Sequence, residues 1–312
     1  MNKQIKLANP RGFCAGVDRA IDIVNKALEI YGAPVYVKHE VVHNKVVVDD
    51  LKERGAVFIE EIEEIPDNSL VIFSAHGVSS EVEEQTKARN LNFFDATCPL
   101  VTKVHMEVRK HANANKDIIL IGHEGHPEVE GTMGRHINSE NSSIFLVQNE
   151  GDAKNINILK KDNLALVTQT TLSVDETKSI IKILKDRFPK IEVPKKDDIC
   201  YATQNRQDAV KQLALESDYM IVVGSKNSSN SNRLKELGEK CGCDSVLIDE
   251  FSDLNLDDLE HCKTISITAG ASAPESRVIE IAKSLENYFN AKLVESGHDN
   301  EDVYFKLPPG LR

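Results

Sequence analysis

Near its amino terminus the chain reads Asn9-Pro10-Arg11-Gly12-Phe13-Cys14-Ala15-Gly16-Val17. A short apolar run, residues 5–8, leads into this segment, and a helical pattern over 17–30 follows it. Cys14 is therefore predicted on the turn between a strand and a helix, with a glycine near it on either side. Glycine lets the backbone approach another group closely, and a helix start offers unpaired N–H groups. A thiol on such a turn is a candidate ligand.

Two later cysteines, Cys98 and Cys200, occupy the same kind of position. Each precedes a helical pattern, the first over 101–115 and the second over about 203–216. After each of the three helices come three short apolar runs, separated by polar loops, in the same order. The chain is therefore predicted to contain three similar units, each introduced by a cysteine.

The polar loops fall in register as well. The loop after the first apolar run lies 29, 28 and 28 residues beyond the cysteine, at His43, His126 and Ser228. The third run ends 62, 72 and 72 residues beyond it, at His76, Thr170 and Ser272. In parallel α/β sheets, functional groups gather in the loops beyond the carboxyl ends of the strands. These side chains are therefore expected at the same edge of each sheet.

The order of elements predicts the fold class. Strands that alternate with helices form parallel sheets covered on both faces, so we expect an α/β protein of three similar modules. Units of this length can each bury a core, which favours three modules closed around a shared centre over a solenoid. The predicted boundaries are 14–97 for module 1, 98–195 for module 2, 196–285 for module 3 with the N-terminal strand 1–13, and 286–312 for the tail.

Composition narrows the class of protein. The 312 residues carry a formal net charge of −12, which argues against a general nucleic-acid binder because such proteins need a basic stripe. No apolar run approaches the roughly 18 residues of a membrane span. The N-terminal residues show no signal-peptide pattern, so a cytoplasmic location is expected. In a reducing cytosol, the six cysteines are not expected to form a disulfide framework.

The three repeated cysteines invite a metal interpretation. A lone cytosolic cysteine is commonly a small buried hydrophobe, but three at equivalent turns of a repeat are a different matter. Structural zinc usually takes four ligands, often in close pairs, whereas ligands 84 and 102 residues apart fit a central cluster better. An iron–sulfur cube with three thiolates leaves one iron without a protein ligand, as an open Lewis acid. Cys241, Cys243 and Cys262 lie outside the repeat and are interpreted as structural.

The polar loops indicate an anionic substrate. Imidazoles, hydroxyls and helix N-termini gathered at one centre make a good site for phosphate oxygens. The candidates are His43, His76, His126, Ser228, Ser229, Asn230 and Ser272. The serine-rich stretch at 224–233 contains no G-x-x-x-x-G-K-[ST] motif, so it is not a P-loop. A nucleotide is therefore a less favoured ligand.

A glycine- and proline-containing loop at 122–131 adds a carboxyl group. His123 and His126 lie three residues apart there, whereas the metalloprotease H-E-x-x-H motif needs histidines four apart on a helix. Glu128 is better placed as an acid beside a metal-bound group, with Thr170 within reach in the same module.

Eight segments together resemble a known family. They are 8–17, His39-Glu40-Val41-Val42-His43-Asn44, Phe73-Ser74-Ala75-His76-Gly77-Val78, Asp95-Ala96-Thr97-Cys98-Pro99, Gly125-His126-Pro127-Glu128-Val129-Glu130-Gly131, Thr168-Gln169-Thr170-Thr171-Leu172-Ser173, Gly224-Ser225-Lys226-Asn227-Ser228-Ser229-Asn230 and Thr268-Ala269-Gly270-Ala271-Ser272. In this order, from residue 5 to about 275, they resemble the 4-hydroxy-3-methylbut-2-enyl diphosphate reductases, also called LytB, the last enzymes of the methylerythritol phosphate route to isoprenoids.

The resemblance implies a pseudo-threefold trefoil of α/β modules around a 4Fe–4S cluster held by Cys14, Cys98 and Cys200. It implies that Glu128 delivers protons and that Thr170 holds the substrate hydroxyl network. It further implies that the diphosphate is bound by His43, His76, His126, Ser228, Ser229, Asn230 and Ser272. The implied reaction is a two-electron reductive dehydroxylation of an allylic alcohol diphosphate, with electrons from ferredoxin or flavodoxin.

Two other functions remain open on the residues alone. A non-catalytic iron–sulfur electron carrier or sensor would need the thiolates but has no use for the polar loops. A zinc hydrolase would use Cys and His ligands with Glu128 as the base.

Overall fold

The structure, a computed structural model, describes residues 3–136, 141–159, 161–297 and 301–312. The strands are β1 (Gln4–Ala8), β2 (Val35–Lys38), β3 (Ala56–Ile59), β4 (Leu70–Phe73), β5 (Asn92–Asp95), β6 (Asp117–Ile121), β7 (Ile144–Val147), β8 (Leu164–Thr168), β9 (Tyr219–Val223), β10 (Asp244–Ile248), β11 (Thr264–Ala269) and β12 (Lys292–Ser296). The helices are α1 (Ala15–Tyr31), α2 (Lys45–Glu53), α3 (Ser80–Ala88), α4 (Pro99–Asn113), α5 (Pro127–Met133), α6 (Glu150–Asn155), α7 (Val174–Arg187), α8 (Tyr201–Ala214), α9 (Ser229–Lys240) and α10 (Glu275–Phe289).

The strands form three sheets in which neighbouring strands run parallel. Sheet I has the order β3-β2-β4-β5, sheet II the order β7-β6-β8, and sheet III the order β10-β9-β11-β1-β12. The prediction of an α/β fold built from three parallel-sheet modules is confirmed. The three predicted helices are confirmed as α1, α4 and α8, with ends within two residues of the expected ones.

The repeat governs strand order within each sheet. The first strand after each cysteine, β2, β6 or β9, lies between the second and third strands of its copy. A fourth segment then pairs with the third strand on its other side, and it leads to the next cysteine of the repeat. In sheet I this segment is β5 and in sheet III it is β1.

In sheet II the fourth segment is reduced to a single bridge. The Leu166 N–H donates to the Glu192 carbonyl at 2.8 Å, and the Glu192 N–H donates to the Leu164 carbonyl at 2.9 Å. The chain therefore runs beside the third strand before the cysteine in all three sheets, and this position brings each cysteine to the carboxyl edge of its sheet.

Both faces of the sheets are buried, as expected for parallel strands with helices on either side. Along β9, Ile221 and Val223 pack into a cluster with residues of α10, while Met220 and Val222 pack with residues of α8 and α9. Each such aliphatic side chain contributes roughly 1.5–3 kcal/mol when removed from water. Sheet II repeats this arrangement, with α7 against one face and α4 against the other.

The chain divides into two compact units. One comprises Met1–Asp18, His43–Asp49 and Tyr201–Tyr304 and contains sheet III; the other comprises Arg19–Val42, Asp50–Cys200 and Phe305–Arg312 and contains sheets I and II. The module boundaries at 14–97, 98–195, 196–285 and 286–312 stay a prediction. Residues 1 and 2 of the predicted N-terminal strand and 298–300 of the predicted tail lie outside the described residues.

Two edge strands were not expected from the sequence. β5 is short and half-exposed, and β12 lies beyond the last recognised helix, where it pairs with β1. In the described ranges, no helix combines the length and apolar composition needed to cross a bilayer.

Candidate active site

The three repeated cysteines share one backbone anchor. Each cysteine N–H donates to a carbonyl in the loop that follows the third strand of its own sheet. The bonds are Cys14 to Ala271 at 3.3 Å, Cys98 to Ala75 at 3.0 Å and Cys200 to Thr170 at 3.0 Å. The repeat seen in the sequence therefore extends to the hydrogen bond that positions each thiol.

Each cysteine also stands directly before a helix. The Cys14 carbonyl accepts the Asp18 N–H at 3.0 Å, and the Cys98 carbonyl accepts the Thr102 N–H at 2.9 Å, so these residues begin α1 and α4. Cys200 immediately precedes α8. None of these three cysteines forms a disulfide, and each residue as a whole is half-buried. Helix starts favour negative charge, so these positions suit thiolate ligands.

A buried arginine holds the loop that carries Cys14. Arg206, on α8, is 1% exposed and donates to the Gly12 carbonyl at 2.8 Å and to the Phe13 carbonyl at 3.3 Å. The Glu301 carboxylate neutralises it through contacts of 3.0 and 3.1 Å. Burial raises the pKa of the Cys14 thiol, an effect that the Val17 N–H and the Arg206 charge oppose.

Glu128 and Thr170 form the central contact of the other unit. The Thr170 N–H donates to Oε1 of Glu128 at 2.6 Å, and the Thr170 hydroxyl donates to Oε2 at 2.9 Å. Because the Thr170 carbonyl also accepts the Cys200 N–H, one residue joins the candidate acid to the backbone of a candidate metal ligand. The expected proximity of Glu128 and Thr170 is thus present.

The protonation of Glu128 is set by burial. The side chain is 3% exposed, and desolvation raises its pKa to about 7, although the two Thr170 hydrogen bonds oppose that shift. A carboxyl group with such a pKa holds a proton near neutral pH and can release it, as a general acid must. The nearby buried Asp198 adds to the shift through its negative charge.

Two imidazoles lie beside Glu128. The Glu128 N–H donates to Nδ1 of His126 at 3.1 Å, so a neutral His126 ring carries its proton on Nε2. The His76 ring meets the His126 ring edge-on, with centroids 5.8 Å apart. Both rings are partly exposed and can present N–H donors outward.

The unit that contains sheet III assembles the predicted hydroxyl and amide groups. The Ser272 hydroxyl donates to the His43 carbonyl at 2.9 Å and lies 3.5 Å from Oγ of Ser228. Ser228 is the N-cap of α9, where its Oγ accepts the Ser231 N–H at 3.3 Å. Ser229 follows as the first residue of α9.

Asn230 links this group to the Cys14 loop. Its side-chain oxygen accepts the Ala271 N–H at 3.1 Å, and its amide donates to Oγ1 of Thr203 at 3.2 Å. The carbonyl of the same Ala271 accepts the Cys14 N–H. Asn230 therefore has the same relation to Cys14, through one residue, that Glu128 has to Cys200.

The predicted residues thus form one group in each unit. His76, His126, Glu128 and Thr170 are connected in one, and His43, Ser228, Asn230 and Ser272 in the other. Their roles in binding and catalysis stay predictions.

Sequence reasoning missed two supporting residues. Asp198, whose side chain is fully buried, accepts the Thr168 N–H at 3.1 Å and pairs with Lys103 at 3.1 Å, so it fixes the loop before Cys200. Nothing in its sequence context distinguishes it from Asp197. Arg206 did leave a signal, because it stands at helical spacing from Ala202 and Val210 on the buried face of α8.

The three repeated cysteines are the residues that could bind a metal cofactor. Among the residues that the structure describes, no three His, Cys, Asp or Glu side chains surround one point closely enough for a single metal ion. An iron–sulfur cluster takes thiolate ligands and spaces them more widely than one ion does, and Cys14, Cys98 and Cys200, each before a helix, fit that donor chemistry.

These parallel α/β modules carry cysteine, imidazole and acidic side chains beyond the carboxyl ends of their strands. Such an arrangement is typical of enzymes that use a bound cofactor. A family model described as LytB protein matches residues 5–286, and the chain belongs to this family. A curated relative from Saccharophagus degradans, 4-hydroxy-3-methylbut-2-enyl diphosphate reductase, is 58% identical over 309 residues, 99% of each chain.

Two solved structures are also similar. The E-1-hydroxy-2-methyl-but-2-enyl-4-diphosphate reductase of Plasmodium falciparum matches with a TM-score of 0.94 at 40% identity, over 100% of this chain and 97% of its own. A second, (E)-4-hydroxy-3-methyl-but-2-enyl diphosphate reductase, the terminal enzyme of the non-mevalonate pathway, matches with a TM-score of 0.66 at 31% identity, over 91% of this chain and 99% of its own.

Proposed function

We propose that this iron–sulfur oxidoreductase converts (E)-4-hydroxy-3-methylbut-2-enyl diphosphate into isopentenyl diphosphate and dimethylallyl diphosphate. The allylic C–O bond breaks, two electrons and two protons are consumed, and the hydroxyl oxygen leaves as water. Full-length relatives carry the name of this reductase. The observation that carries the proposal is the buried Glu128 carboxyl, held by the residue that also anchors Cys200.

The cofactor in this proposal is a 4Fe–4S cluster bound by Cys14, Cys98 and Cys200. When bound, such a cluster supplies single electrons and, at the iron without a protein ligand, a Lewis acid. The support is the equivalent placement of the three thiols: each precedes a helix, and each has its N–H fixed to the loop after a third strand.

Glu128 supplies the protons. A buried carboxyl with a pKa of about 7 still holds its proton near neutral pH, where an ordinary carboxyl group has already lost it, so Glu128 has a proton to give to the leaving hydroxyl. Thr170 donates to both carboxyl oxygens through its N–H and hydroxyl, so it stabilises the carboxylate formed after transfer. Its hydroxyl can also turn to the substrate oxygen, as the resemblance implies.

The diphosphate is bound by imidazole, hydroxyl and amide donors. They are His43, His76, His126, Ser228, Ser229, Asn230 and Ser272. Their local dipoles and protons act over a few ångströms, whereas the net charge of −12 is spread over the chain and screened beyond about 8–10 Å at physiological salt. A polyanionic substrate is therefore compatible with an acidic protein.

Ferredoxin or flavodoxin delivers the electrons one at a time. The site of action is the cytoplasm, whose reducing conditions keep cysteine thiols available as cluster ligands.

The test replaces one carboxyl oxygen. Glu128→Gln keeps the shape of the side chain but cannot cycle a proton, so kcat should fall by about 10²–10⁴-fold while substrate affinity changes little. Turnover is measured anaerobically with the reconstituted enzyme and a chemical reductant. Glu130→Gln, on the same helix but exposed, is the matched control and should retain activity. Near-normal turnover by Glu128→Gln removes Glu128 from the acid role.

A further inference from the structure

A groove of about 620 Å³ opens beside Cys98 in the unit that contains sheets I and II. Thr97 and Pro99, the residues on either side of Cys98, both line it. Its other wall is the C-terminal segment 306–312, which the sequence had left without a role. Arg19 joins the two walls, since it donates to the Thr97 carbonyl at 3.1 Å and to the Lys306 carbonyl at 3.0 Å.

This groove is basic. Its charged lining consists of the cations Arg19, Lys103, Lys306 and Arg312 and the acids Asp95 and Glu107. Met106, 64% exposed, adds a large apolar side chain to the same lining. Methionine and arginine are enriched at protein interfaces, so Met106, Arg19 and Arg312 favour a protein as the ligand of this groove.

A second groove of about 360 Å³ lies along the same helix, α4. Lys103 and Glu107 line both grooves, so the two form one continuous surface. The second groove adds the exposed cations Lys110, Lys195 and Lys196. Its further acid, Glu192, is already paired with Lys116, and burial lowers the pKa of His111, which leaves that ring neutral at pH 7.

The surface formed by both grooves, the α4 surface, has the opposite charge to the protein. It carries seven Lys and Arg residues against three Asp and Glu residues, in a chain of net charge −12. Lys103 pairs with the buried Asp198 and Lys110 with Glu107, so the positive excess comes from Arg19, Lys195, Lys196, Lys306 and Arg312. An acidic partner is repelled by most of this protein and attracted here, so the α4 surface both selects and orients such a partner.

We propose that the α4 surface docks the electron donor, a small acidic one-electron carrier protein. The inference rests on the proposed function, which requires such a donor. Because Thr97 and Pro99 flank Cys98 in sequence, a protein seated in the first groove is in contact with the backbone next to a cluster ligand. The basic residues at the rim recruit the carrier, and the C-terminal segment forms part of its seat.

The test reverses three exposed rim charges, Lys110→Glu, Lys195→Glu and Lys196→Glu, in one holoenzyme variant. The matched control reverses three exposed lysines of the other unit, Lys240→Glu, Lys283→Glu and Lys292→Glu, so that net charge changes equally. The probes are a purified flavodoxin and a purified plant-type ferredoxin. Calorimetry gives Kd without turnover, and kinetics give KM for each reduced carrier.

We expect the α4 triple variant to weaken Kd and raise KM for the carrier by at least about tenfold, with the effect fading at high ionic strength. The control variant should change both by less than about threefold. Turnover with dithionite and methyl viologen should stay unchanged in both variants, because small reductants need no docking surface. Lys195→Glu alone should give about a threefold weakening and guards against a folding defect in the triple variant.

Equal weakening by both triple variants overturns the proposal, because only the global charge would then matter. Unchanged carrier binding by the α4 variant also overturns it, as does loss of self-association in place of carrier binding, which would assign the surface to a second copy of the chain. Failure of the proposed function has a different signature: the wild-type enzyme would not turn over the allylic diphosphate with any reductant, whatever its carrier affinity.

Discussion

At the scale of single residues, the burial that raises the pKa of Glu128 also lowers the stability of the folded protein at neutral and higher pH. A carboxyl group ionises in water with a pKa near 4.5, but the fully buried Glu128 retains its proton to about pH 7 in the folded protein. Between those values the folded state binds more protons than the unfolded chain, so stability falls as pH rises through this window. Above it the folded state carries the whole cost of a buried carboxylate.

This linkage predicts a pH-dependent gain for Glu128→Gln. The amide does not ionise, so the variant should be more stable relative to wild type at about pH 8 than at about pH 5, by roughly 2–3 kcal/mol, because most of the difference between the two pKa values is expressed across this window. Thermal or denaturant unfolding at both pH values measures the difference. Glu130→Gln, an exposed control on the same helix, should show no such gain. A Glu128→Gln effect that is equal at both pH values would contradict the raised pKa.

Residues of the site differ in how far the sequence discloses them. Glu128 could be identified because it lies two residues after His126 in the loop at 122–131, within reach of Thr170 in the same module. Asp198 could not, because its partner Thr168 lies 30 residues away and only the fold brings them together. Arg206 was visible as a charge on a buried helix face, but its partners, the Gly12 carbonyl and Glu301, were not.

At the scale of elements, the loop that carries His76 is fixed by close packing around one glycine. Gly77 has φ +80°, and a Cβ there would lie 2.5 Å from Cε1 of His105 on α4. Burial lowers the pKa of His105 to about 3, so the ring that packs against this loop is uncharged at neutral pH. From the other side, Gly131 of α5 comes close enough that a Cβ on it would lie 3.1 Å from the Gly77 carbonyl oxygen.

Gly77→Ala should therefore cost more than backbone strain alone. The positive φ costs about 1 kcal/mol for an alanine and the clash with a packed ring about 1–3 kcal/mol more. Gly242→Ala is the matched control, because it has φ +85° but nothing within 4 Å of the added Cβ, so it should cost only the strain. Unfolding midpoints compare the two, and KM for substrate should rise only in Gly77→Ala, because His76 moves with its neighbour. Equal destabilisation by both substitutions would show that the His105 ring can move away from the added methyl group.

The elements that the sequence predicted best are the buried ones. The first three strands of each copy are short and rich in apolar residues, and the sequence predicted three such runs after each cysteine in the order that the structure shows. The fourth segments of sheets I and II were harder to predict than β1, because strands at a sheet edge need only half of their residues to be apolar. β5 has only two apolar residues in four, and the equivalent in sheet II is a single bridge at Glu192.

At the scale of the whole molecule, the repeat explains why three distant cysteines have equivalent surroundings. In each sheet a segment pairs with the third strand, and the chain reaches the cysteine and the following helix three to eight residues further on. The carbonyl that receives its N–H lies in the third-strand loop, where the polar candidates also lie. Cysteine spacing could be read from the sequence, but this bond could not, since Ala271 and Cys14 lie at opposite ends of the chain.

If these thiols hold one cluster, it acts as a crosslink that closes segments of 84 and 102 residues. Closing a loop of about 100 residues removes roughly 4–5 kcal/mol of unfolded-state entropy, and a ligand that binds only the folded chain adds to that stability. Removing the iron with a chelator should therefore lower Tm by about 8 °C or more, at the roughly 2 °C per kcal/mol expected for a chain of this size.

Single substitutions make the same argument position by position. The variants Cys14→Ser, Cys98→Ser and Cys200→Ser should each lose most of the bound iron and sulfide, because a hydroxyl is a poor ligand for iron and two thiolates cannot retain the cluster alone. The Tm of each variant should therefore be close to that of the wild-type protein after its iron has been removed. Cys241→Ser and Cys262→Ser change the same atom outside the repeat and should keep both iron and Tm. Iron and acid-labile sulfide counts with melting curves measure this without any turnover. A full complement of iron in any of the first three variants would mean that the equivalent backbone anchors serve the fold alone.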